Sequence, residues 1–417
     1  MSVHDRFIVR LADRTSDFLR GFGRPIPDLS PELLERVARR KTGCDDFGSL
    51  WYRTPLNKLC ESYDQDVDLK FIGRVVCRGA LVNALTNRLL VQRELQLDPG
   101  IRDESIRRPL FVLGLPRTGT TLLYNLLSQD PACRPLLHWE TMTPAPSPRP
   151  ETLAHDPRIA RARKHVRQIN RLFPEYATMH RLTAEGPEEC AGLLMTAFLT
   201  PMFPGRAQRY REWLDQVSDA DVETAYGEYR TQLQVLQRYI KGSHWILKCP
   251  THIFAYRELL TTFPDACVVH THRDLSQCVP SLCSLHHLYL RLCYRQFDPH
   301  EAGRMALDIV EQQLRRGIPS RDRGDPQGQR VVDINYSETV QNPIGTVEKI
   351  YGHFGYEFTA DFRRRIEAFL ADDKHPHKPR HQYTMEEYGL THDDLHRRFA
   401  AYTERFLTPS RPTKAAS

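Results

Sequence analysis

The stretch "PLFVLGLPRTGTTLL", residues 109–123, commits this chain to a buried strand, a tight glycine turn and a helix in immediate succession. A short, almost wholly apolar run is what a parallel strand covered on both faces requires. Gly114 and Gly119, followed by Thr120 and Thr121, nearly match the phosphate-binding loop G-x-x-x-x-G-K-[ST]. The lysine slot holds Thr120, and the cation stands three residues earlier as Arg117. The two glycines allow close backbone approach. The amides of residues 117–121 would then face an anion at a helix N-terminus, where the helix dipole also favours negative charge. Leu122, Leu123, Leu126 and Leu127 form the stripe by which that helix would pack.

Three further β-rich runs follow, "HWILK" (244–248), "ACVVHTH" (266–272) and "RVVDINY" (330–336), with helical stretches after two of them. Strand and helix in alternation predict an α/β fold, a P-loop-like parallel sheet flanked by helices. The residues before 108 read as an N-terminal helical segment: Ser30 precedes Pro31 as a helix start, and 71–95 carries apolar residues at helical spacing. This segment shows no chemistry and suits a helical cover or a homodimer surface. The expected division is 1–107, a catalytic domain at 108–390 with a helical insertion at about 141–243, and a C-terminal helix with a flexible tail at 391–417.

Each of the four runs ends at a polar or charged residue: Arg117 just past the first, then Lys248, Arg273 and Tyr336. Ligands of open parallel sheets bind beyond the carboxyl ends of the strands. Three cations and a phenol are therefore expected to share one crevice. A triphosphate with Mg²⁺ is poorly provided for, because the loop lysine is missing and no apolar run ends in a metal-binding aspartate. An anion held by arginine, amides and hydroxyls is well provided for, with no metal. No His/Cys cluster has zinc spacing.

The composition is that of a soluble globular protein, 40% hydrophobic and 26% charged. The net charge of +6 reads as spread along the chain, a bias toward anionic ligands and not a nucleic-acid stripe. Ten cysteines without a C-x-x-C pair read as reduced thiols in a cytoplasmic protein. Charges interrupt the N-terminal apolar stretches, unlike a signal peptide. The longest apolar run, 190–203, is shorter than the ~20 residues of a bilayer span.

"PRTGTT" resembles the 5′-phosphosulfate loop of sulfotransferases that use 3′-phosphoadenosine 5′-phosphosulfate (PAPS), and "HRDLSQCVPS" resembles their 3′-phosphate motif. The likeness covers about 108–385 and is greatest to the bacterial sulfotransferase-like proteins and the tyrosylprotein sulfotransferases. It implies that Arg117, Thr118, Gly119, Thr120 and Thr121 bind the 5′ end of PAPS. Arg273, with Ser281 eight residues later, would bind the 3′-phosphate, although Asp274, Leu275 and Gln277 depart from the frequent R-N-P-x-D form. It further implies that Tyr336 lies against the nucleotide and that Lys248, in "LKCP", contacts the transferring group. Glu140, in "HWETM", would be the catalytic base, with His138 and His252 in reserve. His270 and His272, flanking Thr271, read as structural. Lys378 and Arg380 would reach a phosphate or lie in an exposed basic loop.

The expected reaction moves a sulfuryl group from PAPS to a hydroxyl of a small-molecule or lipid-like acceptor, with Arg117, Lys248 and Glu140 catalytic. Aromatic residues of the insertion (Phe173, Tyr176, Phe198, Phe203, Tyr210, Trp213) suit either ordinary helix core or an apolar acceptor wall. Two alternatives stand beside it: a P-loop kinase or NTPase with a degenerate loop, and a non-catalytic nucleotide-binding protein.

Overall fold

The computed structural model describes residues 25–65, 68–172, 175, 182–372 and 384–408. Five parallel strands form one sheet: β1 (Leu110–Gly114), β2 (Arg134–Pro135), β3 (Trp245–Lys248), β4 (Cys267–His272) and β5 (Val331–Asn335). Their spatial order is β2-β3-β1-β4-β5, with β1 in the centre. β1 pairs Leu110 with Ile246 on one side and with Cys267 on the other. This register brings Gly114, Lys248, His272 and Asn335 to the same carboxyl edge. Strand β2 has no counterpart among the four expected runs, since two residues, one of them Pro135, carry no periodicity to read.

The helices used below are α1 (Pro31–Thr42), α2 (Arg53–Gln65), α3 (Phe71–Leu97), α4 (Thr120–Leu127), α5 (His138–Met142), α6 (Pro157–Leu172), α7 (Asp219–Gln237), α8 (Leu275–Cys293), α9 (Pro299–Gly324), α10 (Tyr336–Gln341) and α11 (Pro343–Phe354). One face of the sheet packs Leu110, Val112, Ile246 and Val269 against Leu123 and Leu127 of α4 and Val347 and Ile350 of α11. The other face presents Phe111, Leu113, Leu247 and Val268 to a larger core. That core also holds Leu34 of α1, Leu59 of α2 and Leu85 of α3. The N-terminal helices therefore share the sheet's own core.

Several imidazoles are locked into this interior. His252 is fully buried, 2.8 Å from the Tyr226 hydroxyl and edge-on to Phe111; burial depresses its pKa to about 3. Burial likewise lowers His244 to about 4 and His270 well below the usual range, with His272 and Arg321 adding to the effect. Such groups stay neutral in the folded chain and become protonated near pH 6.5 when unfolded. Stability is therefore complete above about pH 6.5 and is lost as pH falls from there toward the folded values. Each imidazole contributes up to about 1.4 kcal/mol per pH unit. The melting temperature should fall clearly between pH 7 and pH 5; an unchanged midpoint would contradict this.

Candidate active site

The loop after β1 is built by contacts that exclude other residues. A Cβ on Gly114 would strike the hydroxyls of Thr271 and Thr118. The Thr118 hydroxyl donates to the Leu115 carbonyl (2.7 Å) and lies 2.7 Å from the Thr271 hydroxyl, and its amide also donates to Leu115. Thr118 thus frames the loop from inside. Gly119 caps α4 with φ 92°, where a Cβ would sit 2.6 Å from the Tyr336 ring. No side chain caps α4, so its first-turn amides remain for an external anion. Arg117 is exposed with φ 73°, and Thr121 is exposed while Thr120 is buried.

The Tyr336 ring, at the start of α10, also carries the Arg273 guanidinium 4.1 Å above its centroid. Arg273 donates to the Arg117 carbonyl (3.2 Å) and from two nitrogens to the Gln277 side-chain oxygen (3.1 and 2.9 Å). Asp274 caps α8. Gln277 and the half-buried Ser281 are four apart on that helix and share a face. Arg117, Gly119, Arg273 and Tyr336 are therefore brought together, as the strand ends predict. Gln277 was not anticipated as the residue that orients Arg273; its i+4 spacing from Arg273 was the available signal.

Lys248 closes β3 with only 2% of its surface exposed. Its ammonium meets Glu189 Oε1 at 2.5 Å and lies 5.9 Å from the Tyr124 ring centre on α4. Burial opposes its charge, but Glu189 and Glu188 outweigh that and raise its pKa. The carboxylates arrive on a strip that pairs with the chain leading into α5. His138 donates its amide to Gly186, Trp139 to Ala184, and Glu188 to Leu136, while the Cys190 amide donates to Lys248. The Tyr124 hydroxyl donates to Leu136 (3.1 Å) and reaches Glu188 (3.3 Å). Glu188 Oε2 stands 3.4 Å from His138 Nδ1.

Glu140, the expected base, is engaged with neighbours inside the protein. It is 2% exposed; one oxygen accepts from Arg134 (2.8 Å) and the other from the Leu137 amide (3.0 Å), closing α5. Arg134 in turn donates to Leu236 and Ile240 and stacks 4.0 Å over Trp245. The pair ties β2 to α7, and each Glu140 oxygen already accepts one hydrogen bond. Removing one partner of a buried ion pair costs roughly 3–5 kcal/mol. Glu140→Ala should therefore lose that much stability in urea unfolding, with turnover per folded molecule nearly intact. Normal stability with lost turnover would return Glu140 to the chemistry. His252, named as a reserve, sits in the aromatic core described above. Lys378, Arg380, Phe173 and Tyr176 lie outside the described residues.

His270 and His272, read as structural from the sequence, are buried on β4. His272 bonds Asp333 (2.8 Å) and the Tyr402 hydroxyl (3.0 Å). Among the described residues, His270, His272 and Asp333 form a group with the spacing of metal ligands. The Arg321 guanidinium already pairs with both Asp333 oxygens and lies 3.2 Å from His270, supplying the positive charge.

An uncapped loop, a second cation at the next strand end and a lysine–carboxylate pair beside them suit a ligand with two separated anions and a reacting hydroxyl. The sulfotransferase family profile matches residues 109–360, which is more than half of the chain. The chain belongs to the sulfotransferase family. This sulfotransferase is 26% identical over 307 residues to the omega-hydroxy-beta-dihydromenaquinone-9 sulfotransferase of Mycobacterium bovis, covering 68% of this chain and 71% of that one. Its fold matches sulfotransferase STF1 of Mycobacterium tuberculosis (TM-score 0.80, 31% identity, 90% of this chain and 99% of that one). It matches sulfotransferase STF9 of Mycobacterium avium equally well (TM-score 0.80, 31% identity, 91% and 97%). Membership implies PAPS as sulfuryl donor, and this sulfotransferase has the residues for it. The uncapped start of α4 suits the 5′ end, and Arg273 with the α8 face suits the 3′-phosphate.

Proposed function

We propose that this sulfotransferase acts in the cytoplasm on a hydroxyl of an apolar, lipid-like acceptor, without a metal. The observation that carries the reading is the Lys248–Glu189 pair at the end of β3, one strand from the glycine loop. When bound, PAPS supplies an activated sulfuryl group. Arg117, Arg273, Ser281, Tyr336 and the α4 amides hold it. Glu189 takes the proton of the acceptor hydroxyl as the new oxygen–sulfur bond forms. Lys248 and Arg117 stabilise the charge that grows on the oxygen leaving with adenosine 3′,5′-bisphosphate, a role worth roughly 10²–10³-fold per preorganised donor. Glu188 and His138 border this position and hold no proton-transfer role.

The acceptor's apolar body suits a crevice on the larger core's side of the sheet, lined by Leu194, Leu199, Val222, Ala225, Tyr226 and Phe254. Leu194 follows Glu189 by five residues, and Phe254 follows Lys248 by six. The mycobacterial relative, named for a dihydromenaquinone acceptor, supports a lipid-like substrate. The test is a panel of hydroxylated lipids and phenols with PAPS, followed by release of adenosine 3′,5′-bisphosphate. Apolar alcohols should be sulfated, and excess EDTA should leave the rate unchanged. Turnover only on polar acceptors, or a magnesium-reversible loss, would overturn the reading.

A further inference from the structure

The net charge that reads as spread along the sequence is carried by one helix. α6, "PRIARARKHVRQINRL", holds six arginines and lysines and no acidic residue, which equals the net +6 of the whole chain. The rest of the protein is neutral in sum. At about 100° per residue, Arg161, Lys164, Arg167 and Arg171 fall within an arc of about 120°, and all four are exposed. The opposite side of α6 is packed: Ile159 and Ala162 join Trp139 and Ala184 in a core, and Val166 is buried. The helix's other cations are spent internally. Arg158 is buried against Asp156, and Arg163 is paired with Glu185. Arg161 contributes to the field at Asp156, which Arg158 already holds. Among the described residues, no carboxylate pairs with Lys164, Arg167 or Arg171.

α6 is also anchored beside the site. His165 stacks on His138 at 6.2 Å, and His138 faces Glu188. We infer that the outer face of α6 is an electrostatic docking surface for an anionic lipid bilayer, holding the active site against the membrane from which an apolar acceptor is drawn. The choice of a lipid surface rests on the acceptor proposed above; the surface itself rests on charge alone. The cationic stripe runs straight for about 15 Å on a convex helix, as a flat surface requires. The arc offers no aromatic platform for nucleic-acid bases. Each lysine or arginine near an anionic membrane contributes about 1 kcal/mol, so four together give roughly 10²- to 10³-fold in partitioning.

The test is flotation of the full chain with vesicles of phosphatidylcholine alone or with one-third phosphatidylglycerol. The chain should bind only the anionic vesicles, and binding should weaken steeply as salt rises above about 0.15 M. The variant R161Q/K164Q/R167Q/R171Q should lose roughly 10²- to 10³-fold in partitioning while keeping its circular dichroism and its turnover of a water-soluble alcohol. A control, R36Q/R40Q/K41Q/K58Q, removes as many exposed charges from α1 and α2 and should still bind. Equal loss in both variants, or wild-type binding to neutral vesicles alone, would overturn the proposal. So would stripe-dependent retention on an acidic protein or nucleic acid without vesicle binding. None of these outcomes bears on sulfuryl transfer, which is read separately from adenosine 3′,5′-bisphosphate release.

Discussion

Glu189→Gln should lower kcat by roughly 10²–10⁴-fold, the range of a positioned general base, with PAPS affinity nearly intact. The substitution keeps the side chain's shape and one oxygen for Lys248, now 2.5 Å from the carboxylate, and removes the proton acceptor. Stability should fall as well, because the buried Lys248 ammonium loses its compensating charge, so turnover is read per folded molecule. Glu188→Gln is the control. That carboxylate stands beside His138 and acts on Lys248 through its charge without the direct hydrogen bond of Glu189, and its loss should cost less than tenfold, well short of a base's contribution. The measurement is steady-state turnover with a hydroxylated acceptor that the wild type sulfates, alongside PAPS binding by calorimetry. A fully active Glu189→Gln enzyme, or a larger loss at Glu188, would move proton transfer to Glu188 or His138. A fall in PAPS affinity equal to the fall in kcat would mean that Glu189 acts only by holding Lys248.

Arg273→Ala should weaken PAPS binding by roughly 10–100-fold, since hydrogen bonds to charged groups contribute about 1.5–3 kcal/mol. The guanidinium is already oriented by Gln277, the Arg117 carbonyl and the Tyr336 ring. Little ordering remains when a phosphate arrives, and arginine can bind it through two parallel bonds. The 5′ end should still be held by the loop around Arg117. The variant should therefore lose its preference for PAPS over adenosine 5′-phosphosulfate, which lacks the 3′-phosphate, whereas the wild type should discriminate strongly. Competitive binding of the two nucleotides to both proteins decides it. Equal binding by wild type, or unaltered discrimination in the variant, would remove Arg273 as the 3′-phosphate reader. Gln277→Ala should show a weaker form of the same defect, because it frees the guanidinium without removing its charge.

Much of the framework was legible in the sequence. The runs 109–115, 244–248, 266–272 and 330–336 match Leu110–Gly114, Trp245–Lys248, Cys267–His272 and Val331–Asn335 to within two residues at each end. Buried parallel strands must be apolar on both faces, and so announce themselves locally. The convergence of Arg117, Arg273, Tyr336 and Lys248 on one edge followed from strand direction alone. The long helices α8 and α9 were harder to read, since Pro280 and Pro319 interrupt patterns that otherwise run 19 and 26 residues.

What the sequence by itself determined was the layout of the carboxyl edge: a glycine loop, its displaced arginine and a second arginine, each placed at a strand end by short-range rules. What only the tertiary structure decided was which carboxylate faces Lys248 at the end of β3. Glu140 lies in "HWETM" and Glu189 in "EGPEEC", and neither stretch says which distant cation its carboxylate will meet. Arg134 captures Glu140 from six residues away and ties it to the carbonyls of Leu236 and Ile240. Lys248 meets Glu189 across 59 residues of chain, because the 184–190 strip is laid along the edge of the sheet. A carboxylate's role depends on the charge it faces, and that charge is set by packing between distant segments, which no local pattern records.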